Sequence, residues 1–403
     1  MAQKAPRQLN IELLRIVCML QITALHYLYG NDAILLASNA VTPLRITGSA
    51  IESLCIPSVA CYVLISGYCD RSTEFRPGRI GKLLLQVWFW SVLLHLICAA
   101  AGLVPLYTSV WDLSTYVLPI MTGHYWFASA FVVMELFAPL LNAAAERVSR
   151  KTLRGVLAGL LLYESVLKTI LPFQLNQDAM GYDFGFFLMV FLIGAYLRIY
   201  GVPRQLNSKG KAFAGYLLSC CVIALVQVAA SLLHARTGSF SWLMSTPFHY
   251  NFLFAVTGSI CLFLVFAQWE MGEESGDSLA ADLSFGDRDG IKSDVRPETG
   301  RSVQAAEKAG NRQGEKEPLP ARGIRALAPL TFGVYLIQCH VDLLSSWPGW
   351  VSGLAGMSAE TSGTVVFFLW MPAAVLLVFA VCAALEAVRR RIFESALSMS
   401  HKR

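Results

Sequence analysis

Long apolar runs separated by short polar connections dominate this chain, and ten of them reach roughly 17 to 25 residues, the length that crosses a bilayer. The runs cover 9–29, 47–69, 83–104, 123–142, 153–171, 184–200, 213–233, 248–268, 327–347 and 363–385. Each is predicted to be helical, because backbone surrounded by lipid must satisfy its own hydrogen bonds. The first run contains Arg15 and is not followed by a small-residue cleavage pattern. A retained first helix is therefore expected rather than a removed signal peptide.

Composition agrees with the pattern. The chain has 403 residues, 55% hydrophobic and only 15% charged, with a mean hydropathy of +0.53. Such a chain is too apolar to be a soluble core under a solvated surface. Its cations are distributed unevenly. Arg71, Arg76, Arg79 and Lys82 fall in one connection, Arg147, Arg150, Lys151 and Arg154 in a second, and Arg198, Arg204, Lys209 and Lys211 in a third. The alternate connections carry only isolated cations such as Arg45 and Arg236, while the tail is basic. The positive-inside rule then puts both termini in the cytoplasm, which suits an even number of spans. The expected fold is an all-α integral membrane protein, a bundle of about ten transmembrane helices.

One connection differs from the rest. Between about Glu270 and Arg325 the chain is rich in Gly, Asp, Glu and Lys and nearly free of large apolar residues. It cannot bury enough surface to offset its ordering entropy, so a mostly disordered cytoplasmic loop is expected. The chain thus divides into membrane helices one to eight in 1–268, the loop in 269–326, helices nine and ten in 327–386 and a basic tail in 387–403. The cysteines lie in or beside apolar segments without C-x-x-C spacing. They read as small core residues, with neither a structural disulfide nor a metal site expected.

The first run, LNIELLRIVCMLQITALHYLYG, carries the sharpest chemical signal. Arg15 and His26 are eleven residues apart, which at about 100° each makes three turns plus roughly 20°, so they share one helix face about 16 Å apart. If the helix begins at Leu9 on the cytoplasmic side, Arg15 lies about 9 Å in and His26 about 25 Å in. Ionisable side chains inside a span usually face the bundle interior and mark function. An imidazole suits proton transfer to or from a hydroxyl or thiol. A buried guanidinium suits an anion or a fixed carboxylate. A plainer reading makes His26 a helix-end residue among headgroups, with Tyr27 and Tyr29 in an interfacial belt.

Three more features stand out. In EFRPGRIGK, Arg76, Arg79 and Lys82 recur every three residues and can present donors to phosphate from one side of a helix; the same charges also serve topology. GHYWF contains Tyr125 and Trp126, ordinary interfacial anchors at a helix start. Glu135 follows within apolar FASAFVVMELFAPLLN, where a carboxylate needs a cation or a proton, and Arg15 is one possible partner.

Read together, these residues resemble the acyltransferase family 3 membrane proteins. NIELLRIVCMLQITALH resembles the family's opening helix, with an acidic residue, Leu-Arg, and His eleven positions after the Arg. VLISGY (Val63 to Tyr68), R-x-x-R (Arg76 to Arg79), HYWF leading to P-L-L-N (Pro139 to Asn142) and FGVYLIQCH (Phe332 to His340) follow in order. Many members end the last motif as Tyr-Leu-Ile-His, whereas here Gln338 takes that place and a histidine follows as His340.

The resemblance implies transfer of an acyl group, most often acetyl from cytoplasmic acetyl-CoA, to a hydroxyl of a cell-envelope glycan or its lipid-linked precursor. His26 would be the catalytic base, with Arg15 near it supporting the acyl donor. Arg76, Arg79 and Lys82 would hold the CoA phosphates, and Tyr125, Trp126, Glu135 and His340 would line the substrate path or pore. The implied partners are the lipid bilayer, acyl-CoA and a cell-surface glycan or lipid-linked sugar, with no nucleic acid, and the location is a cell membrane, the bacterial plasma membrane by family habit. Two other classes fit the residues alone: a secondary transporter of a small polar or anionic solute, and a non-enzymatic assembly or sensor protein using the loop.

Overall fold

Proline in the first turn and polar caps set most helix starts along this chain. Pro43, Pro57 and Pro77 open α2 (Pro43–Cys55), α3 (Pro57–Cys69) and α4 (Pro77–Ala100), where the missing N–H of proline has no helical partner to lose. Thr42, Ser149, Asp183 and Ser208 each accept a backbone N–H at the start of α2, α7 (Arg150–Leu161), α9 (Phe184–Tyr200) and α10 (Lys209–Thr237), satisfying donors that the helix leaves over. Gly238, at φ +68°, ends α10 in the left-handed conformation that glycine adopts without strain.

The computed structural model describes residues 8–35, 41–171, 178–269, 318–357 and 359–400. Among these, the remaining helices are α1 (Leu9–Gly30), α5 (Val110–Val117), α6 (Trp126–Arg147), α8 (Leu167–Ile170), α11 (Ser241–Ser245) and α12 (Leu253–Ala267). After them come α13 (Leu319–Leu327), α14 (Thr331–Gln338), α15 (Val341–Leu344), α16 (Trp347–Leu354) and α17 (Ala359–Ser400). The stretch 270–317, expected to be a disordered loop, lies outside the described residues. From Leu319 the chain is helical, so the expected loop end at 326 gives way to α13.

Seven helices among the described residues are long and apolar enough to cross a membrane: Leu9–Gly30, Pro43–Cys69, Pro77–Ala100, Trp126–Arg147, Lys209–Thr237, Ser241–Ala267 and Gly363–Ser395. Among the described residues the fold is all-helical, and its long apolar helices suit a bilayer. The run expected to be one straight span over 327–347 is instead two helical pieces, Leu319–Gln338 and Val341–Leu354, bent by 76°. The stretch 153–171 is helical but interrupted by a π turn at Leu162–Val166. The stretch 184–200 forms α9, a shorter apolar helix of 17 residues.

Packing is closest where side chains are absent. A Cβ on Gly67 of α3 would sit 2.0 Å from the Phe191 carbonyl oxygen, and one on Gly194 of α9 would sit 2.4 Å from that of Leu64. Each glycine thus admits the other helix's backbone, the small-residue packing that membrane helices use when lipid is as apolar as their own side chains. Nearby, Gly258 of α12 lies against Pro57 of α3 and Ser219 of α10. α1 runs through the middle, with Leu14, Cys18, Tyr27 and Leu28 fully buried.

Burial overturns the interfacial-belt reading for Tyr27. It stacks on Phe367 at 5.5 Å and shares a 2.8 Å hydrogen bond with the Ser352 hydroxyl, while Tyr29 alone is exposed. A second carboxylate also goes inside. Glu386 of α17 accepts from Trp90 Nε1 at 2.8 Å, from Gln86 Nε2 at 3.1 Å and from Arg389 at 2.6 and 2.9 Å. Four donors satisfy this buried charge and tie α4 to α17.

Candidate active site

α1 turns Arg15, Met19, Ile22 and His26 toward a cavity of about 390 Å³. The eleven-residue spacing therefore places both ionisable side chains on one wall. Val59, Tyr62 and Ser66 of α3, Arg79, Lys82 and Gln86 of α4, and Trp126, Phe127, Phe131 and Glu135 of α6 supply further walls. Tyr250 and the segment from Ala328 to Tyr335 complete the lining. Five helices and a loop thus converge on one hollow inside a membrane bundle, the default location of a ligand site.

His26 is half-buried. Its two ring nitrogens lie 3.6 and 3.8 Å from the Cys339 sulfur. The thiol thus sits about equally far from both nitrogens, and the Gln338 side chain is a further hydrogen-bonding neighbour of the ring. Eleven residues earlier, Arg15 Nη1 donates to Glu12 Oε1 at 3.1 Å, while its carbonyl accepts from the Tyr62 hydroxyl at 2.6 Å. The pair with Glu12 fixes one end of the guanidinium and leaves further N–H groups for a ligand.

Glu135 finds a different cation from the one considered in the sequence. Arg79 Nη2 donates to Glu135 Oε1 at 2.9 Å, and Arg79 Nη1 donates to Asp70. The turn that brings Arg79 here is held by Asn142 of the P-L-L-N motif. Its amide donates to the Ser72 carbonyl at 3.1 Å and its oxygen accepts from Arg198 at 2.9 Å. Lys82, one turn into α4, faces the same cavity. Arg76 caps α4 from outside as an exposed residue and is not among the lining residues.

Trp126 lines the cavity within an aromatic group, its ring centroid 4.4 Å from Tyr182 and 5.3 Å from Tyr250, which are 5.1 Å apart. Tyr125 is buried beside it and stacks on His124 at 4.2 Å, outside the cavity. Tyr182, Tyr250, Tyr335 and Gln86 went unrecognised in the sequence as site residues. Only Tyr335 carried a signal, being one helical turn before Cys339 in the FGVYLIQCH motif.

His340 belongs to a second polar cluster. Its Nε2 donates to the Ser91 carbonyl at 3.0 Å and its Nδ1 accepts the Asp342 N–H at 3.2 Å. This ring thereby caps α15 and fixes the bend. Next to it, His95 Nδ1 lies 2.8 Å from Asp342 Oδ2 and its Nε2 lies 2.6 Å from the Leu106 carbonyl. Both ring nitrogens of His95 thus face oxygen atoms. Tyr116 donates to the other Asp342 oxygen at 2.9 Å. Burial, with the Asp342 carboxylate adding to it, pushes the Tyr116 phenol above its usual range and keeps it a donor. The cluster pins the bend one residue from Cys339 and so from the wall beside His26. Among the described residues no group of His, Cys, Asp and Glu is arranged to hold a metal ion.

No curated protein and no solved structure matches the chain. The family model described as an acyltransferase domain, of the acyltransferase 3 type, matches residues 8–279. That stretch contains the walls built by α1, α3, α4 and α6. A membrane bundle with a cavity holding cations, a carboxylate and an imidazole is the setting in which this match falls, and the chain belongs to the acyltransferase 3 family.

Proposed function

We propose that this protein is a membrane-bound O-acyltransferase that moves an acetyl group from cytoplasmic acetyl-CoA to a hydroxyl of a cell-envelope glycan or its lipid-linked precursor. The observation that carries the reading is that His26, Arg15, Arg79 and Lys82 line one cavity. Arg79 and Lys82 meet the CoA phosphates, and Arg76 adds positive charge just outside. The pantetheine arm runs past Arg15 and brings the thioester toward His26.

His26 takes the proton from the acceptor hydroxyl as the oxygen attacks the thioester carbonyl carbon, then returns it to the departing CoA sulfur. No metal is needed for that sequence. The cavity lets donor and acceptor meet inside the bundle without CoA crossing the membrane.

The distribution of Lys and Arg supports cytoplasmic termini. Ten crossings follow if the bent pair, the stretch 150–170 and α9 each cross beside the seven longer helices. α9, at about 26 Å, is a few ångströms short of a hydrocarbon core of about 30 Å and lies at the lower limit of crossing lengths. A bacterial plasma membrane is the setting that suits a cell-envelope acceptor.

Purified protein in nanodiscs, incubated with labelled acetyl-CoA and a cell-envelope extract, tests the reading. Release of free CoA and transfer of label to a glycan fraction, both lost in His26→Ala, are the expected results. A His26→Ala variant that transfers label at the normal rate would sink the assignment.

A further inference from the structure

Acyl transfer through His26 asks one ring nitrogen to be bare of a proton and turned to the acceptor hydroxyl. A neutral imidazole carries its single N–H on either nitrogen, and a fixed acceptor beside one of them decides which. Gln338, the residue that closes α14, stands where such an acceptor is needed.

Gln338 is 1% exposed, and its side chain is a hydrogen-bonding neighbour of the His26 ring. The amide nitrogen donates to the Met19 sulfur at 3.4 Å, on the face of α1 that also carries His26. A thioether can only accept, so this contact orients the amide with nitrogen toward Met19 and oxygen away from it. Among the described residues no group meets that buried oxygen in hydrogen-bond geometry. An unpaired buried amide oxygen costs stability, and an apolar side chain of the same length would fill the place without that cost.

The ring has the complementary need. Apart from Gln338, the contact of its nitrogens is with the Cys339 sulfur at 3.6 and 3.8 Å, a weak acceptor. An orphan acceptor and an N–H without an oxygen partner are thus neighbours. The imidazole torsion is broad, so rotating the ring brings the N–H onto the oxygen at little cost. The backbone that carries the amide is itself held: the Trp347 indole donates to the Gln338 carbonyl at 3.1 Å, and the Cys339 N–H donates to the Tyr335 carbonyl at 3.0 Å.

We propose that Gln338 is a positioning residue for acyl transfer, its amide oxygen accepting the N–H of one His26 nitrogen and so presenting the other nitrogen, unprotonated, to the cavity. The assignment rests on the acyl-transfer reading above. In the step, the acceptor oxygen forms a bond to the carbonyl carbon, its proton passes to the bare nitrogen, and the carbonyl π electrons move onto oxygen. The ring now carries a positive charge and two N–H groups, and the one on Gln338 becomes a charge-assisted hydrogen bond. On collapse the C=O bond reforms, the carbon–sulfur bond breaks, and the CoA thiolate takes the proton from the cavity-side nitrogen. The starting tautomer is restored.

Two variants separate the acceptor from the packing. Gln338→Met keeps the length of the side chain and removes the oxygen, while Gln338→Glu keeps an acceptor oxygen in its place. Full-length protein in nanodiscs is assayed with labelled acetyl-CoA and a cell-envelope extract, beside wild type and His26→Ala. For Gln338→Met the expected result is a fall in kcat of about 10–100-fold, the loss on removing a hydrogen bond to a group that becomes charged, with KM for acetyl-CoA within about twofold. Gln338→Glu is expected to keep kcat within about threefold of wild type. Gln338→Met that also stays within about threefold, while His26→Ala is inactive, overturns the positioning role and leaves the acyl-transfer reading standing. Equal losses in the two variants overturn it in favour of packing, and a loss confined to KM overturns it too. Wild type that releases no more CoA than His26→Ala overturns the reading itself, and this assignment with it.

Discussion

Arg79 and Glu135 meet at 2.9 Å across the cavity wall, the cation from the first turn of α4 and the carboxylate from the middle of α6. Glu135 is 4% exposed at its side chain and Arg79 45%. Removing Arg79 strands a buried carboxylate, and breaking a buried pair in this way costs about 3–5 kcal/mol, less here because the cation is half in solvent. Arg79→Ala is expected to melt lower than Glu135→Gln. The double variant should recover part of the loss, since no charge is then stranded. Melting of the three proteins in detergent checks the order, and an unimproved double variant contradicts it.

The contact between Gly67 and Gly194 predicts a sharp positional contrast. A methyl at either would meet a carbonyl oxygen of the facing helix at 2.0 or 2.4 Å, so α3 and α9 must separate to admit it. Overpacking of this kind costs about 1–3 kcal/mol. Gly194→Ala should lower the melting temperature and, through Tyr62 and Ser66 on α3, the rate of acyl transfer. Gly155→Ala, which meets nothing within 4 Å, serves as the control and is expected to be neutral or stabilising.

Donor affinity separates the three cations of the E-F-R-P-G-R-I-G-K segment. Lys82 lines the cavity and Arg76 does not. Loss of one charge-assisted phosphate contact is worth about 1.4 kcal/mol, or tenfold. Lys82→Ala is expected to raise KM for acetyl-CoA about tenfold and Arg76→Ala by no more than about twofold. Titration of initial rates at constant salt reads the difference, and equal effects would return both residues to a topological role.

Asp342 holds both His95 and Tyr116 from within the bundle. Asp342→Ala leaves these donors facing nothing and is expected to cost about 3–5 kcal/mol, while Tyr116→Phe should cost about 1–2 kcal/mol. The same change should slow acyl transfer, since the bend it fixes carries Cys339 against His26. Asp342→Asn keeps an acceptor and should recover part of both. Melting and transfer rates measured on the same preparations test the linkage.

Periodicity along one helix was readable; distance between helices was not. Arg15 and His26 share α1, so their common face followed from 3.6 residues per turn. The partner of Glu135 lies 56 residues away, on a helix whose approach depends on Asn142 holding a turn, and nothing local in the chain encodes that. Arg389 looked like a topological charge in a basic tail because its partner Glu386 could not be seen to face Trp90 and Gln86. The run 327–347 looked like one span because hydropathy is blind to a bend made by a buried histidine. His340 followed two residues later by Asp342 was the only hint that a cap interrupts the helix there.

Arg15, Arg79, Lys82 and Glu135 around one hollow bring with them the hazard of electrical leakage. Trp126, Tyr182 and Tyr250, with centroids 4.4 to 5.3 Å apart, pack ring against ring at the edge of that hollow. Bulky apolar rings in contact narrow the room for water on that side, so the aromatic group works against conduction as well as forming a wall.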